Sequence, residues 1–124
     1  MKGKKRAIRW LAQPEPKNYP AAQSYLSLVF EAKAARRYVR ALHAADVEPF
    51  KAKDIFRASG LSLLGVSNFH VERDRRKIAA GKLLSPLLLV RHPELAKVIV
   101  ADGYHRLCAV YSLDEDAVIP CKIV

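Results

Sequence analysis

Cysteine and long apolar segments are both scarce in this 124-residue sequence. The two cysteines, Cys108 and Cys121, have no CxxC spacing and lie among apolar residues. We therefore expect reduced, buried thiols, and a disulfide or a metal site is the less favoured alternative. No apolar run approaches the roughly 18 residues that a membrane helix needs, so we expect no membrane partner. The basic N-terminus is followed by Pro14, Pro16 and Pro20 rather than by an apolar secretory segment, which favours a cytoplasmic protein.

Acidic residues are also few. The chain has 22 lysines and arginines against 12 aspartates and glutamates, which gives a formal net charge of +10 at pH 7. Such an excess favours a polyanionic partner, either nucleic acid, a nucleotide phosphate or an acidic surface, although solvated lysines alone would give the same count. Because 51% of the residues are apolar, the chain is expected to form a folded domain with a modest core.

The sequence divides into three regions. Residues 1–18 are predicted to be a basic flexible arm, and residues 19–46 an N-terminal helical segment in which apolar residues recur at i, i+3, i+4 and i+7. A break in this segment is possible near Ala32–Ala34, and its helices are a candidate surface for a homodimer. Residues 47–124 are predicted to form the main domain. Nucleic acid could contact four cations of the arm, Lys2, Lys4, Lys5 and Arg6.

The main domain alternates between extended and helical patterns. The run PLLLVR shows no alternation of polar and apolar residues, so it predicts a strand that is buried on both faces. The order predicts an α+β (mixed α/β) fold, with a small mixed β-sheet and flanking helices that follow the N-terminal helical segment. Strands are expected at 47–52, 86–91, 97–101 and 118–124, and helices at 53–59, 70–82 and 104–113.

The stretch VIVADGYHRL, Val98–Leu107, changes from a strand pattern to a helix pattern. A helix N-terminus carries unsatisfied N–H groups and partial positive charge, which favour a bound phosphate. Gly103 would let a ligand approach the backbone, Arg106 could donate two parallel hydrogen bonds, and His105 could donate another or transfer a proton. In the alternative interpretation, Asp102 is an ordinary N-cap and the two cations are solvated. Cations in a first turn oppose the helix dipole, however, so helix stability alone does not explain them.

Three stretches of the main domain follow one another in an order typical of a known protein family. They are AAGKLLSPLLLVR, KVIVADGYHRLCAVY and IPCKIV, and they fall between about Phe50 and Val124. In this order they resemble the ParB/sulfiredoxin superfamily, in particular small stand-alone ParB-like proteins. The resemblance implies a nucleotide-binding fold, in which the box between strand and helix holds the phosphates of ATP, ADP or CTP, commonly with Mg²⁺.

Carried over by position, the resemblance assigns roles to the residues of the DGYHR box. Gly103, Tyr104, His105 and Arg106 would bind the nucleotide, Asp102 would approach the magnesium ion, and His105 and Asp102 would be the catalytic residues. Tyr104 stands where sulfiredoxins have their nucleophilic cysteine. A phenol cannot replace that thiol, so sulfiredoxin activity is not expected.

Several residues outside the box are further candidates. In relatives, the segment before the helix at 70–82 also contributes to the nucleotide site, which makes Asn68 and His70 possible ligands. Lys53 could reach a phosphate as a mobile point charge. A basic cluster on the same helix could flank the phosphate pocket or contact a nucleic-acid backbone, although a solvated helix face is the simpler interpretation; its arginines are Arg73, Arg75 and Arg76.

These observations support two hypotheses from different classes. In the first, the protein binds a nucleoside di- or triphosphate and could be a Mg²⁺-dependent NTPase or a small-molecule kinase. In the second, it is a ParB-like nucleic-acid-binding accessory protein, with weak nuclease activity or none, and without turnover of a nucleotide. A structural or antitoxin-like partner that has lost its activity is a third interpretation.

Overall fold

A computed structural model describes residues 7–65 and 68–124. Its helices are α1 (Asn18–Val29), α2 (Ala32–Ala44), α3 (Ala52–Ser59), α4 (Phe69–Ala79) and α5 (Tyr104–Leu113). Its strands are β1 (Arg9–Trp10), β2 (Val47–Lys51), β3 (Leu83–Leu84), β4 (Leu87–His92), β5 (Lys97–Asp102) and β6 (Val118–Ile123). A single 3₁₀ turn, Pro93–Leu95, connects β4 to β5. No helix in the described part of the chain is both long and apolar enough to span a membrane.

Four strands form a mixed sheet in the order β2–β6–β4–β5. β4 runs parallel to β6, whereas the β2–β6 and β4–β5 pairs are antiparallel. Pro49 lies in β2 at the edge of the sheet, opposite Pro120 of β6, where a missing N–H is tolerated. The predicted mixed α+β fold, a small β-sheet with flanking helices, is therefore confirmed.

Strand β4 is the centre of the core, because both of its faces are covered. Leu87 and Leu89 contact one cluster of buried side chains, and Leu88 and Val90 contact another. Each of these four leucine and valine residues is at most 2% exposed. The run without alternation thus forms a strand that is buried on both faces, as predicted.

Helices α1 and α2 cover one face of the sheet. Their buried residues Leu26, Val39 and Leu42 join the cluster of Leu88 and Val90. Residues of the predicted helical segment (19–46) and of the predicted main domain (47–124) therefore share this cluster. The reason is physical: a strand that is apolar on both faces needs a layer of apolar side chains on each side.

Helices α3, α4 and α5 cover the opposite face. Ile55, Val71 and Leu107 from these three helices pack into one cluster with β4, β5 and β6. Cys108 and Cys121 are both free and fully buried in this cluster, which confirms the expected buried thiols. Burial raises the pKa of the Cys121 thiol to about 12, so this group is inert at neutral pH.

The segment before α1 also joins the fold. β1 pairs in parallel with β3, and the Leu11 amide donates to the Leu84 carbonyl at 2.8 Å. Ile8 and Trp10 pack against the core, so residues 7–18 are not the flexible arm that composition predicts. The four cations assigned to that arm, Lys2, Lys4, Lys5 and Arg6, lie outside the described residues.

The helical segment contains a break, slightly earlier than the predicted position. α1 ends at Val29 and α2 begins at Ala32. Between them, Phe30 is extended and its ring packs against Tyr38 and His92, with centroid distances of 4.9 and 5.6 Å. An aromatic contact with the sheet layer thus fixes the corner between the two helices.

Candidate functional site

A cavity of about 380 Å³ lies where the N-terminus of α5 meets α4 and the segment before α1. Its walls carry both signs of charge, with cations in excess. The cationic side chains are those of Lys17, Arg73, Lys77 and Arg106, and the carboxylates are those of Glu15, Asp74 and Asp102. The imidazoles of His70 and His105 complete the polar wall.

The N-terminus of α5 opens into this cavity without a side-chain cap. Gly103 is the N-cap residue, at φ 108°, and no side chain accepts from the first-turn amides. The first turn closes when the Leu107 amide donates to the Gly103 carbonyl at 2.9 Å. The preceding N–H groups are therefore available to a ligand, and the helix dipole makes that ligand anionic by preference.

Asp102 does not cap the helix, which was the alternative interpretation of the sequence. Its Oδ2 lies 3.0 Å from Nη2 of Arg106, and each side chain is only 16% exposed. Arg106 Nη2 also lies 3.5 Å from the Pro86 carbonyl, whereas its buried Nε has no hydrogen-bond partner among the described residues. The guanidinium is thus positioned by the protein and still has an unused donor.

The structure gives a reason for a glycine at position 103 that differs from the predicted one. A Cβ atom at this position would lie 2.8 Å from Nη2 of Arg106 and 2.8 Å from Cγ of Leu87. The space above the glycine is therefore filled by the protein's own side chains. Gly103 permits the left-handed turn and the close approach of Arg106. It also lines the cavity, and its role as a ligand contact stays a prediction.

His105 lies beside His70 at the mouth of the cavity, with ring centroids 4.8 Å apart. Burial lowers the pKa of His105, and the positive charges of His70, Arg73 and Arg106 lower it further, while Asp74 raises it. Without a ligand, the imidazole is therefore mostly neutral at pH 7. In that form it can donate one hydrogen bond and accept another.

The Tyr104 side chain is hydrogen-bonded to the loop that precedes α4. Its hydroxyl donates to the Ser62 carbonyl, and burial raises its pKa. Behind it, the Leu64 amide donates to Sγ of Cys108 at 3.5 Å. Burial also raises the pKa of the Cys108 thiol, which makes this fully buried cysteine a poor nucleophile.

Two of the predicted ligand residues do not line the cavity. Asn68 is the N-cap of α4, and its Oδ1 accepts from the amides of His70 at 3.0 Å and Val71 at 3.2 Å. The ammonium group of Lys53 lies 2.7 Å from the Asp116 carboxylate, in the turn between α5 and β6. Both side chains have structural partners elsewhere, and their roles as ligands remain predictions.

The basic cluster of α4 is divided between two environments. Arg73 and Lys77, four residues apart, line the cavity. Arg75 instead contacts the Ser112 hydroxyl, with a donor–acceptor distance of 2.7 Å, and Arg76 is paired with Glu72 at 3.2 Å. The cluster therefore does not form one continuous surface for a nucleic-acid backbone.

Sequence reasoning missed several residues of the cavity wall. The sequence contains a signal for the burial of Asp74, because this residue lies three positions after Val71 and four before Ile78, on the buried face of α4. Glu15 and Lys17 had no such signal, because only tertiary contacts bring them to the cavity. The Ser85 hydroxyl donates to Glu15 Oε1 at 2.7 Å and lowers its pKa, which fixes this edge of the site.

Among residues 7–65 and 68–124, no group of three or more histidines, cysteines, aspartates or glutamates is arranged to hold a metal ion. The chain matches no family model. It also matches no curated protein and no solved structure. The geometry of the cavity and the residues that form it are therefore the basis for a proposed function.

Proposed function

We propose that this protein binds a nucleoside di- or triphosphate, ATP, ADP or CTP, with its phosphates at the N-terminus of α5. The observation that carries the proposal is the uncapped N-terminus of α5, which opens into the cavity beside Arg106. Lys17, Arg73 and Lys77 lie in the same wall. A bound phosphate would interact favourably with the helix dipole and with these cations at the same time.

The size and polarity of the cavity suit such a ligand. A volume of about 380 Å³ falls within the usual range for small-molecule sites. Phosphate oxygens would accept from the first-turn amides of α5 and from Arg106, while His105 would donate from its imidazole. The order of strand, DGYHR box and helix, followed by the final strand, supports the further proposal that the fold is ParB/sulfiredoxin-like.

Turnover would be a phosphoryl transfer, either NTP hydrolysis or transfer to a small hydroxyl compound. Magnesium, when bound, would neutralise charge on the phosphates. Mg²⁺ is usually held by one or two carboxylates together with phosphate oxygens, and the Asp102 carboxylate fits that requirement. The chain's own contribution is to orient the phosphates with Arg106 and to accept or return a proton at His105.

Calorimetric titration with ATP, ADP, CTP and GTP in the presence of Mg²⁺ tests this proposal. Arg106→Ala should weaken binding at least tenfold, because it removes a charged donor from the phosphate site. Arg76→Ala is the matched control, since that side chain is 80% exposed and paired with Glu72. No binding at millimolar nucleotide, or equal binding by both variants, would contradict the proposal.

Nucleic-acid binding is a second candidate, and helix α2 favours it. Four exposed cations follow one another at helical spacing, and none has an ion-pair partner in the described residues. They are Lys33, Arg36, Arg37 and Arg40. Like charges at i, i+4 destabilise a helix, and α2 contains no acidic residue to offset them. A polyanion that lies along this face would remove the repulsion.

Fluorescence anisotropy with a labelled duplex tests the second candidate. Affinity should fall steeply as salt concentration rises, in proportion to the number of phosphates contacted. The double variant Arg36→Glu/Arg40→Glu should reduce both the affinity and the salt dependence. Arg57→Glu/Lys82→Glu makes the same change of net charge on other exposed surfaces, and it should have a much smaller effect. A flat salt dependence would count against nucleic-acid binding.

A further inference from the structure

Asp74 is a largely buried carboxylate for which residues 7–65 and 68–124 supply no hydrogen-bond or ion-pair partner. It lies on the buried face of α4 between Val71 and Ile78, and only 4% of its surface is exposed. Its side chain also forms part of the cavity wall. Within residues 7–65 and 68–124, this carboxylate accepts no hydrogen bond and forms no ion pair within 4 Å.

The other two carboxylates of the cavity are already satisfied. Glu15 accepts from the Ser85 hydroxyl at 2.7 Å, and Asp102 accepts from Arg106 at 3.0 Å. The oxygens of Asp74 retain some exposure to the cavity, and a carboxylate of such low exposure is stabilised by a hydrogen-bond donor. The one unsatisfied carboxylate of this wall therefore indicates that a donor comes from the ligand.

An ionised phosphate cannot be that donor, because it offers acceptors only and repels a carboxylate. We propose that Asp74 accepts a hydrogen bond from the nucleoside part of the ligand, either a ribose hydroxyl or an amino group of the base. This inference rests on the proposed function, and it adds a residue that distinguishes nucleotides from simple phosphates. The nearby side chains of Arg73 and His105, which line the same cavity, would hold the phosphates.

The substitution Asp74→Asn distinguishes a hydrogen bond to the nucleoside from a general electrostatic effect, because the two predict different changes in nucleotide affinity relative to pyrophosphate affinity. Removal of the negative charge should strengthen the binding of pyrophosphate, because the carboxylate no longer repels this anion. A nucleotide should lose its charge-assisted hydrogen bond as well. The affinity for ADP or CDP relative to pyrophosphate should therefore fall by about tenfold.

Calorimetric titration of the whole chain with pyrophosphate and with ADP or CDP gives this ratio directly. Asp54→Asn is the matched control, because Asp54 is exposed on α3 and outside the cavity. If Asp74→Asn shifts both ligands by the same factor, the assignment of Asp74 is wrong while the proposed function stands. If it weakens pyrophosphate only when Mg²⁺ is present, Asp74 binds the cation and the assignment is also wrong. If the unaltered chain binds neither ligand, the proposed function itself fails.

A measurement on the unaltered chain covers the case in which Asp74→Asn does not fold. The 2′,3′-dideoxy form of the nucleotide lacks the ribose hydroxyls, and inosine or uridine diphosphate lacks the amino group. A loss of about tenfold with the dideoxy form assigns the donor to the ribose, and the same loss with the deaminated form assigns it to the base. If all these nucleotides bind equally well, the inference is overturned.

Discussion

Arg106 reaches back across the start of α5 to Asp102, the last residue of β5, and the two side chains meet at 3.0 Å. The pair joins the end of a strand to the first turn of the next helix. Because each side chain is only 16% exposed, the carboxylate is the counter-ion that keeps a guanidinium at the edge of the cavity before any phosphate arrives.

Asp102→Ala should lower the free energy of unfolding by about 1–3 kcal/mol, because it leaves a largely buried guanidinium without its partner. Added pyrophosphate should restore more stability to this variant than to the unaltered chain, since the ligand supplies the missing negative charge. Urea unfolding with and without pyrophosphate measures both effects. The exposed pair of Lys53 and Asp116 is the control: Asp116→Ala should cost much less stability than Asp102→Ala, because solvent screens the exposed pair. Equal losses in the two variants would contradict the structural importance of the Asp102–Arg106 pair.

Gly103→Ala should destabilise the fold by about 2–4 kcal/mol. An alanine at φ 108° is strained, and its Cβ would lie 2.8 Å from both Arg106 Nη2 and Leu87 Cγ. Thermal or urea unfolding measures the loss. Gly65→Ala is the matched substitution, because nothing lies within 4 Å of its added Cβ and its φ is not positive. That variant should stay within about 0.5 kcal/mol of the unaltered chain, and a similar loss at both glycines would rule out the steric argument.

The lowered pKa of His105 makes both stability and phosphate binding depend on pH. Burial is the largest cause, followed by the positive charge of His70. The unfolded chain therefore binds this proton more readily than the folded chain does. The stability due to neutral His105 is fully present above the unfolded value of about 6.5, and it is lost as pH falls through the folded pKa.

A bound phosphate should reverse this shift, because it favours the imidazolium form of His105. NMR titration of the His105 ring should show a higher pKa with pyrophosphate than without it, and the contribution of His105 to pyrophosphate affinity should rise as pH falls through the interval between these two pKa values. His92 packs against Phe30, does not line the cavity and serves as the internal reference. An unchanged His105 titration at saturating pyrophosphate would place the anion away from α5.

Local pattern is sufficient to predict the elements that carry the DGYHR box. α5 begins after a glycine and shows apolar residues at helical spacing, while β4 is apolar at four consecutive positions, so both were predictable within a residue. β1 and β3 were not, because a two-residue strand has no periodicity and forms only through its partner. The same tertiary pairing brings Glu15 to the cavity, and no local pattern could indicate that contact.

Within the site, the sequence predicts the residue types better than their partners. Asp102 and Arg106 are four residues apart, a spacing that favours an ion pair on a helix, yet Asp102 precedes a glycine and resembles an N-cap. In the structure Gly103, at φ 108°, is the N-cap residue, and the Asp102 carboxylate contacts the arginine instead. The burial of Asp74, in contrast, is predictable from the sequence, because this residue lies between two buried apolar residues on one face of α4.

The shared core predicts that residues 47–124 do not fold alone. Without α1 and α2, the side chains of Leu88 and Val90 in the central strand would face water instead of Leu26 and Leu42. The lost burial amounts to about 1.5–3 kcal/mol for each large apolar side chain, which is a large share of the stability of a small domain. The fragment should therefore show poor amide dispersion in NMR spectra and no cooperative unfolding. A chain that begins at Ala7 retains every described element and should unfold like the full sequence, whereas a cooperative transition in the 47–124 fragment would mean that the α1–α2 layer is dispensable.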